Sequence, residues 1–313
     1  MKKLLIACLT AVLSLSVLAS DFPTKTVKIV TSLPAGSGPD AVIRRLSDQL
    51  SAKWNVPVII DNRPGGNGVV AVSAYNREST DAHTLFFTSN DVFVSNPVLY
   101  KQPDLMKDLE PISGLLLSNL MVITAANVNN LAELKTLSTK NPSFGSWGIA
   151  SAAHINGLEL GTYFGVPSIH VAYKDYGMWF VDVMNGLLPY SFATIGSTRK
   201  LVDAGKLKYL ASASDVRDPR YPTVPTFKEL TGQDIGTAHP YTAFFVKSTV
   251  APAIKERLTK DIADALNTPT MQTALDSIGY SPWSLTGPNL KKFIETDAKQ
   301  YKKSIDFYKI AIE

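Results

Sequence analysis

Short β-rich runs alternate with helical ones along almost the whole chain, and this alternation restricts the fold more than any single residue does. Val27, Ile29 and Val30 mark a strand over 26–32, and the run at 40–53 places Val42, Ile43, Leu46 and Leu50 at helical spacing. A second strand is predicted at 56–60, a helix at 68–77 and a third strand at 84–88, the pattern of a parallel sheet with crossover helices. A second unit of similar size follows. Its strands are expected at 121–124, 144–148, 168–171, 189–193 and 208–211, and its helices at 131–139, 151–164, 177–184 and 198–204. After an apolar strand at 242–246 come two long amphipathic helices, 251–266 and 288–308. Two α/β units followed by a helical return fit a two-lobe receptor whose chain crosses between lobes twice, near Ser118 and Tyr241. Residues 111–117 and 241–246 are the candidates for shared strands. Lobe 1 is then 21–118 plus 241–313, and lobe 2 is 119–240.

Residues 1–20 read as a cleavable leader. Lys2 and Lys3 precede an apolar stretch from Leu4 to Leu18, and the small Ala19 and Ser20 stand before Asp21. The stretch falls short of the roughly 20 residues that span a bilayer as a helix. Leu5-Ile6-Ala7-Cys8 resembles a lipoprotein cleavage box, but a cut there would leave too short an apolar region. Losing the leader takes Lys2 and Lys3 from the 31 basic residues, leaving 29 against 27 acidic ones, and removes the one cysteine. Such a chain suits an oxidising compartment, offers no disulfide or thiolate zinc site, and is too weakly basic to advertise a nucleic-acid surface. With 45% hydrophobic and 19% charged residues it is poor material for disorder. An enzyme and a binding protein both remain open.

The sharpest local feature is Leu33-Pro34-Ala35-Gly36-Ser37-Gly38-Pro39-Asp40, a Gly-rich turn between a strand and a helix. Glycines let the backbone turn its amides outward, and a helix start adds unpaired N–H donors and the positive end of the dipole, so the site favours anions. Pro39 fits the first turn, with Gly38 expected as N-cap. A plain turn explains the same glycines. A counterpart occurs in the second unit at Ser146-Trp147-Gly148-Ile149-Ala150-Ser151-Ala152-Ala153-His154, where Ser151 can cap the helix or donate to a carboxylate. His154 lies one turn inside that helix, and a lone histidine also serves as a packing residue. Two facing helix starts can grip one carboxylate without a strongly positive pocket, in keeping with the small net charge.

Rival chemistry is weakly represented. Gly36-Ser37-Gly38-Pro39-Asp40-Ala41 meets the loose dinucleotide pattern and Asp61 stands about 20 residues on, but Pro34 stiffens the turn and Pro39 removes an amide that would face a pyrophosphate. A hydrolase would need a nucleophile elbow of the G-x-S-x-G kind, which is absent. Ser197-Thr198-Arg199-Lys200 is an isolated S-x-x-K, and no histidine pair has metal-ligand spacing.

Asp61-Asn62-Arg63-Pro64-Gly65-Gly66-Asn67-Gly68 resembles the signature of the tripartite tricarboxylate transporter receptors, the Bug proteins. The resemblance runs from about Pro23 to the C-terminus. It takes in the 34–40 loop, Asp81-Ala82-His83-Thr84-Leu85, Ser89-Asn90, Asn96-Pro97, Leu131-Ala132-Glu133-Leu134, Phe144-Gly145-Ser146, His170-Val171-Ala172-Tyr173-Lys174, Ala204-Gly205-Lys206-Leu207 and Val224-Pro225-Thr226. It implies an α/β, two-lobe periplasmic binding protein fold, type II-like, with a ligand cleft between lobes that closes over a small mono- or dicarboxylate. Binding residues implied are Leu33, Ala35, Gly36 and Ser37 on one side and Gly148, Ala150, Ser151 and His154 on the other, with Ser89, Asn90, Tyr173 and Thr194 lining the rest. The implied protein is a periplasmic monomer that serves membrane permease subunits, with no cofactor, metal, catalysis or nucleic acid; a sensor is the alternative client. Asn62–Gly66 is expected to be a structural turn, with Arg63 in an ion pair. Departures fall at Pro39, Asp175, Tyr176 and Leu188-Pro189-Tyr190-Ser191-Phe192, and they imply an altered, more aromatic wall in lobe 2.

Overall fold

The computed structural model describes residues 22–101 and 105–312, and the expected leader at 1–20, with Cys8, lies outside the described residues. Eleven strands form two sheets among the described residues. The first runs in the order β11-β4-β10-β3-β1-β2, from β1 (Val27–Thr31), β2 (Val58–Asn62), β3 (Thr84–Ser89), β4 (Leu109–Leu117), β10 (Tyr241–Lys247) and β11 (Ser281–Pro282). The second runs β7-β6-β8-β5-β9, from β5 (Leu120–Ala125), β6 (Ser143–Ser146), β7 (Ile169–Ala172), β8 (Tyr190–Thr194) and β9 (Leu207–Ser212).

The expected parallel sheets are only partly so. Strand β1 pairs parallel with β2 and β3, and β6 parallel with β7 and β8. Strand β10 runs antiparallel to both β3 and β4, and β5 antiparallel to β8 and β9. Strands β1 and β2, and β6 and β7, are joined directly by a helix crossover, as parallel pairing demands, and β3 and β8 reach the other side of β1 and β6 through a second one. The antiparallel ones flank the points where the chain passes between sheets. Those passages lie between Leu117 and Leu120 and between Ser212 and Tyr241. Neither candidate shared strand is shared: β4 pairs with β10 and β11, and β10 with β3 and β4, all in the first sheet.

Twelve helices among the described residues cover these sheets. Helix α1 (Gly38–Trp54) follows β1, α2 (Val69–Asn76) follows β2, and two single turns, α3 (Asp91–Val94) and α4 (Asn96–Leu99), follow β3. In the second unit come α5 (Leu131–Lys140), α6 (Ala152–Phe164), α7 (Tyr176–Met184), α8 (Ile195–Asp203) and α9 (Phe227–Thr231). The return is built from α10 (Pro252–Leu266), α11 (Pro269–Ser277) and α12 (Gly287–Phe307). The apolar stripe of α1 buries Val42, Ile43, Leu46 and Leu50 against Ile29, Phe87, Phe244 and the α10 residues Leu258 and Ile262. Full burial of each such side chain contributes about 1.5–3 kcal/mol. A second cluster runs without a break from Phe86, Phe245 and Tyr301 to Phe144, Tyr190 and Phe192, so the two sheet units are packed against one another.

Pro189 stands just before β8, a central strand, where its missing N–H removes no ladder bond. Helix α8 begins at Ile195, three residues earlier than its sequence pattern suggests, so that Thr194 is its N-cap. Asp175 caps α7 by accepting from the Met178 amide at 2.8 Å, which gives this departure from the family a local structural role.

Candidate functional site

The loop after β1 is held from inside. Ser37, not the expected Gly38, is the N-cap of α1, and its Oγ accepts from the Asp40 amide at 3.3 Å. Gly38 and Pro39 therefore occupy the first turn, where the missing N–H of Pro39 breaks no helix bond. Asp40, 1% exposed, accepts from the Gly36 amide at 2.8 Å. The same carboxylate takes Arg44 Nε at 2.9 Å, Arg44 Nη2 at 3.2 Å and Asn62 Nδ2 at 2.9 Å. Burial opposes its ionisation, but the hydrogen bonds from Arg44, Asn62 and Gly36 outweigh it and hold the carboxyl below its ordinary value. Asn62 also donates to the Leu33 carbonyl at 3.0 Å and accepts from Arg44 at 3.0 Å. The Gly36 and Ser37 amides are thus taken by Asp40 and by the Pro34 carbonyl. Ala35 and Gly36 are exposed, and a methyl group added at Gly36 would meet nothing, though its φ of +80° suits glycine.

The loop after β6 is wired through Ser146. Its Oγ lies 2.6 Å from His170 Nε2, donates to the Gly148 carbonyl at 2.9 Å and accepts from the Gly148 amide and from Ser151 Oγ. Ser151 caps α6 by accepting from the His154 amide at 3.2 Å. His154 Nδ1 accepts from the Ala150 amide at 2.9 Å, fixing the imidazole proton on Nε2 and holding Ala150 at a φ of +53°. His154 stacks on His170 at 3.6 Å between ring centroids. Burial, with His170 nearby, lowers His154 to about 3, and burial lowers His170 to about 4, so both rings are neutral. Ser146 is wholly buried, and its Oγ meets both His170 and the Gly148 carbonyl. The Ala152 and Ala153 amides, in the first turn of α6, have no intrahelical partner.

These loops meet neighbours from both sheets. Ser95 Oγ, after β3, donates to the Ala150 carbonyl at 3.1 Å, tying the two units together. The ring of Tyr280 lies where a Cβ on Gly38 would be 2.8 Å from its hydroxyl and one on Gly196 2.7 Å from its Cε2. Only glycine at both helix starts lets that ring in. Tyr280 thus bridges the start of α1 to the start of α8, with Thr194 within hydrogen-bonding reach of its hydroxyl. A cavity of about 170 Å³ opens beside it at the passages between sheets, lined by Ser118, Asn119, Arg220 and Trp283 among others.

Ser89 ends β3 beside the first loop and donates to Asp91 at 3.3 Å. Asn90 is turned inward: its amide donates to the His239 carbonyl at 3.0 Å and Tyr301 Oη at 3.1 Å, leaving it as a clamp between β3, β10 and α12. Tyr173 directs its hydroxyl at Asp182, and burial with this carboxylate pushes its phenol up to about 12.

A sequence profile described as the tripartite tricarboxylate transporter family receptor matches residues 42–309. The chain belongs to that family. It is 24% identical over 283 residues to a UPF0065 protein of Bordetella pertussis, covering 88% of this chain and 87% of that one. The fold superposes on Rpa4515 of R. palustris, solved with adipate, at a TM-score of 0.82 and 21% identity, covering 93% of this chain and 99% of that one. It superposes on the periplasmic binding protein BugD at 0.78 and 21% identity, covering 93% and 100%.

In this receptor the family signature is a brace. Asn62 latches the first loop, Arg63 pairs with Asp61 at 2.8 Å, and Asn67 exchanges hydrogen bonds with Asn96. Sequence reasoning missed Asp40 as the loop's internal anchor, although Ser37-x-x-Asp40 has capping-box spacing. It also missed Tyr280, for which no local motif exists.

Proposed function

We propose that this receptor binds a small mono- or dicarboxylate between its two lobes outside the cytoplasm and delivers it, as a periplasmic monomer, to the membrane subunits of a tripartite tricarboxylate-type transporter. The lobes are residues 21–118 plus 241–313 and residues 119–240, a division supported by the membership of the two sheets. The observation that carries the reading is the pair of serine-capped helix starts, Ser37 on α1 and Ser151 on α6, each following a parallel strand of a different sheet. First-turn amides and the positive end of a helix suit an anion without any lysine or arginine in the grip.

The carboxylate sits among Leu33, Ala35, Gly36, Ser37, Gly148, Ala150, Ser151 and His154, with Ser89 and Thr194 beside them; because the Gly36, Ser37, Gly148 and Ala150 amides are engaged within their own loops, the first-turn amides of α6 are the donors left to it. His154 acts by shaping the loop and by presenting its Nε2 proton. Ligand contact with both lobes exists only in the closed form, so binding shifts the population towards closure. The adipate found with Rpa4515 belongs to the class of ligand expected here. A thermal-shift screen of mono- and dicarboxylates tests the reading, followed by small-angle scattering with and without the best ligand. A rise in Tm with a smaller radius of gyration supports it; a panel that moves neither refutes it.

A further inference from the structure

The passages between the two sheets carry a cavity of their own, about 170 Å³ in volume. Ser118 and Asn119 line it from the first passage and Arg220 from the second, with Ser281 of β11, Trp283 and Ile195 of α8 completing the wall. The residues of the loops after β1 and β6 take no part in it. Its volume lies below the range of about 300–1,000 Å³ usual for sites that hold drug-sized ligands, so its occupant is a very small molecule.

Arg220 brings an unfilled donor edge to this cavity. Its Nε and Nη2 hold Asp218 at 2.8 and 2.6 Å, a side-on fork that uses one edge of the guanidinium. Along the other edge, buried Nη1 has no hydrogen-bond partner among the described residues, and Nη2 reaches only Ser281 Oγ, at 3.5 Å. A guanidinium has five N–H donors and keeps its charge, so an empty buried edge is costly. Asp218 is committed elsewhere: the oxygen that takes Arg220 Nε also takes the Arg220 amide, at 3.0 Å, and the other takes Nη2. The open edge suits a planar anion that offers two oxygens side by side.

The start of α8 points the same way. Ile195 opens that helix at the cavity wall, and the N-cap, Thr194, makes no side-chain bond to the first-turn amides. Those amides and the positive end of the dipole favour negative charge. Ser118 and Asn119 add a hydroxyl and an amide from the first passage. The Arg220–Asp218 pair is neutral as a unit, which limits the occupant to one negative charge.

We propose that this cavity is a second ligand site, taking a small planar monoanion such as a short monocarboxylate on the open edge of Arg220. It lies apart from the grip proposed above at the starts of α1 and α6. Because Nη1 is buried, the anion enters while the two units are apart and is enclosed as they come together. It thereby favours the same arrangement that the carboxylate favours, and the two ligands support one another.

Melting of the mature protein in sodium nitrate or sodium acetate, against sodium sulfate of equal ionic strength, reads occupancy. With the monoanion at about ten times its Kd, the wild type is expected to gain about 3–5 °C. Arg220→Lys keeps a cation beside Asp218 but has no second edge, while Ser118→Leu fills the cavity and leaves Arg220 in place; both should lose the gain. Ser151→Ala, in the loop after β6, should keep it. Titration calorimetry should show the best carboxylate bound roughly threefold or more tighter in nitrate than in sulfate by the wild type, and equally in the two salts by Arg220→Lys. The proposal is overturned by no gain in the wild type, by a gain that either hinge variant retains with native circular dichroism, by a gain lost in Ser151→Ala, or by equal wild-type affinities in the two salts. A screen in which no carboxylate binds refutes the receptor reading alone, since the nitrate gain and its loss in Arg220→Lys still decide the cavity.

Discussion

Replacing Asn62 by Ala probes whether the family signature acts through the first loop. The substitution removes the bonds to the Leu33 carbonyl at 3.0 Å and to Asp40 at 2.9 Å, and leaves Arg44 without an acceptor it holds at 3.0 Å. A neutral hydrogen bond contributes about 0.5–1.5 kcal/mol and one to a charged group about 1.5–3. Asn62 is partly exposed, so water replaces some of this, and a loss of about 2–3 kcal/mol is expected. For a chain of this size that lowers Tm by about 3–5 °C. Because loop and ligand site are the same backbone, affinity for the best carboxylate should fall on the order of tenfold. Asp40→Asn and the double variant close a cycle, with a coupling between Asn62 and Asp40 of about 1–2 kcal/mol expected. The Asp40 carboxyl is lowered by folding, so its contribution is complete above its ordinary value and fades as pH falls through the lowered one. The Asn62 variant should therefore lose its acid tolerance at a higher pH. A normal melting temperature, or a lowered one with unchanged affinity, would refute the brace.

Three further outcomes can be measured directly. Gly157→Ala places a Cβ 2.1 Å from the Phe144 ring inside the α6–β6 contact, and a loss of about 1–3 kcal/mol is expected in chemical denaturation. Tyr280→Phe removes the hydroxyl that lies against Gly38 and Thr194; ligand affinity should fall by roughly 2- to 10-fold at nearly constant Tm, and an unchanged affinity would remove Tyr280 from the site. Stability against pH should be almost flat between about pH 5 and 6, above the range in which the lowered carboxylates Asp40, Asp81, Asp218 and Asp261 take up protons, because buried histidines and buried acids oppose one another there. His154 and His170 are lowered to about 3 and 4, so their contribution is complete above their ordinary value and is lost in acid. Asp91 and Asp297 are raised to about 6 and 7, chiefly by burial, so theirs is complete in acid and is lost as pH rises through those values. Asp297→Asn removes one opposing group and should make stability fall by up to about 1.4 kcal/mol per pH unit towards acid; a flat profile in that variant contradicts the assignment.

Much of the scaffold was legible because local pattern and burial agree. The stripe of Val42, Ile43, Leu46 and Leu50 predicts a helix and is the buried face of α1. The runs around Ile29, Phe86 and Val122 predict strands, and these residues are fully buried. Short elements escaped: α11 spans only Pro269–Ser277, and α3 and α4 are single turns after β3, too brief for periodicity to register. Strand direction escaped as well, because β10 and β5 lie antiparallel through the route of the chain between sheets, which no window of residues encodes.

The sequence by itself determined the two strand–loop–helix units and the Ser151 cap, since spacing, glycine freedom and capping are properties of a few neighbouring residues, while the first cap fell at Ser37, one residue before the expected Gly38. It also carried the family signature in Asp61–Gly68. Only the tertiary structure decided what those residues do. Asn62 reaches Asp40 on α1 from the end of β2, and His154 on α6 is fixed by stacking on His170 of β7. Tyr280 arrives more than two hundred residues after Gly38 to stand between the starts of α1 and α8. A local pattern sets the direction in which an amide or a hydroxyl can point, while its partner, its burial and therefore its charge depend on chain that is remote in sequence.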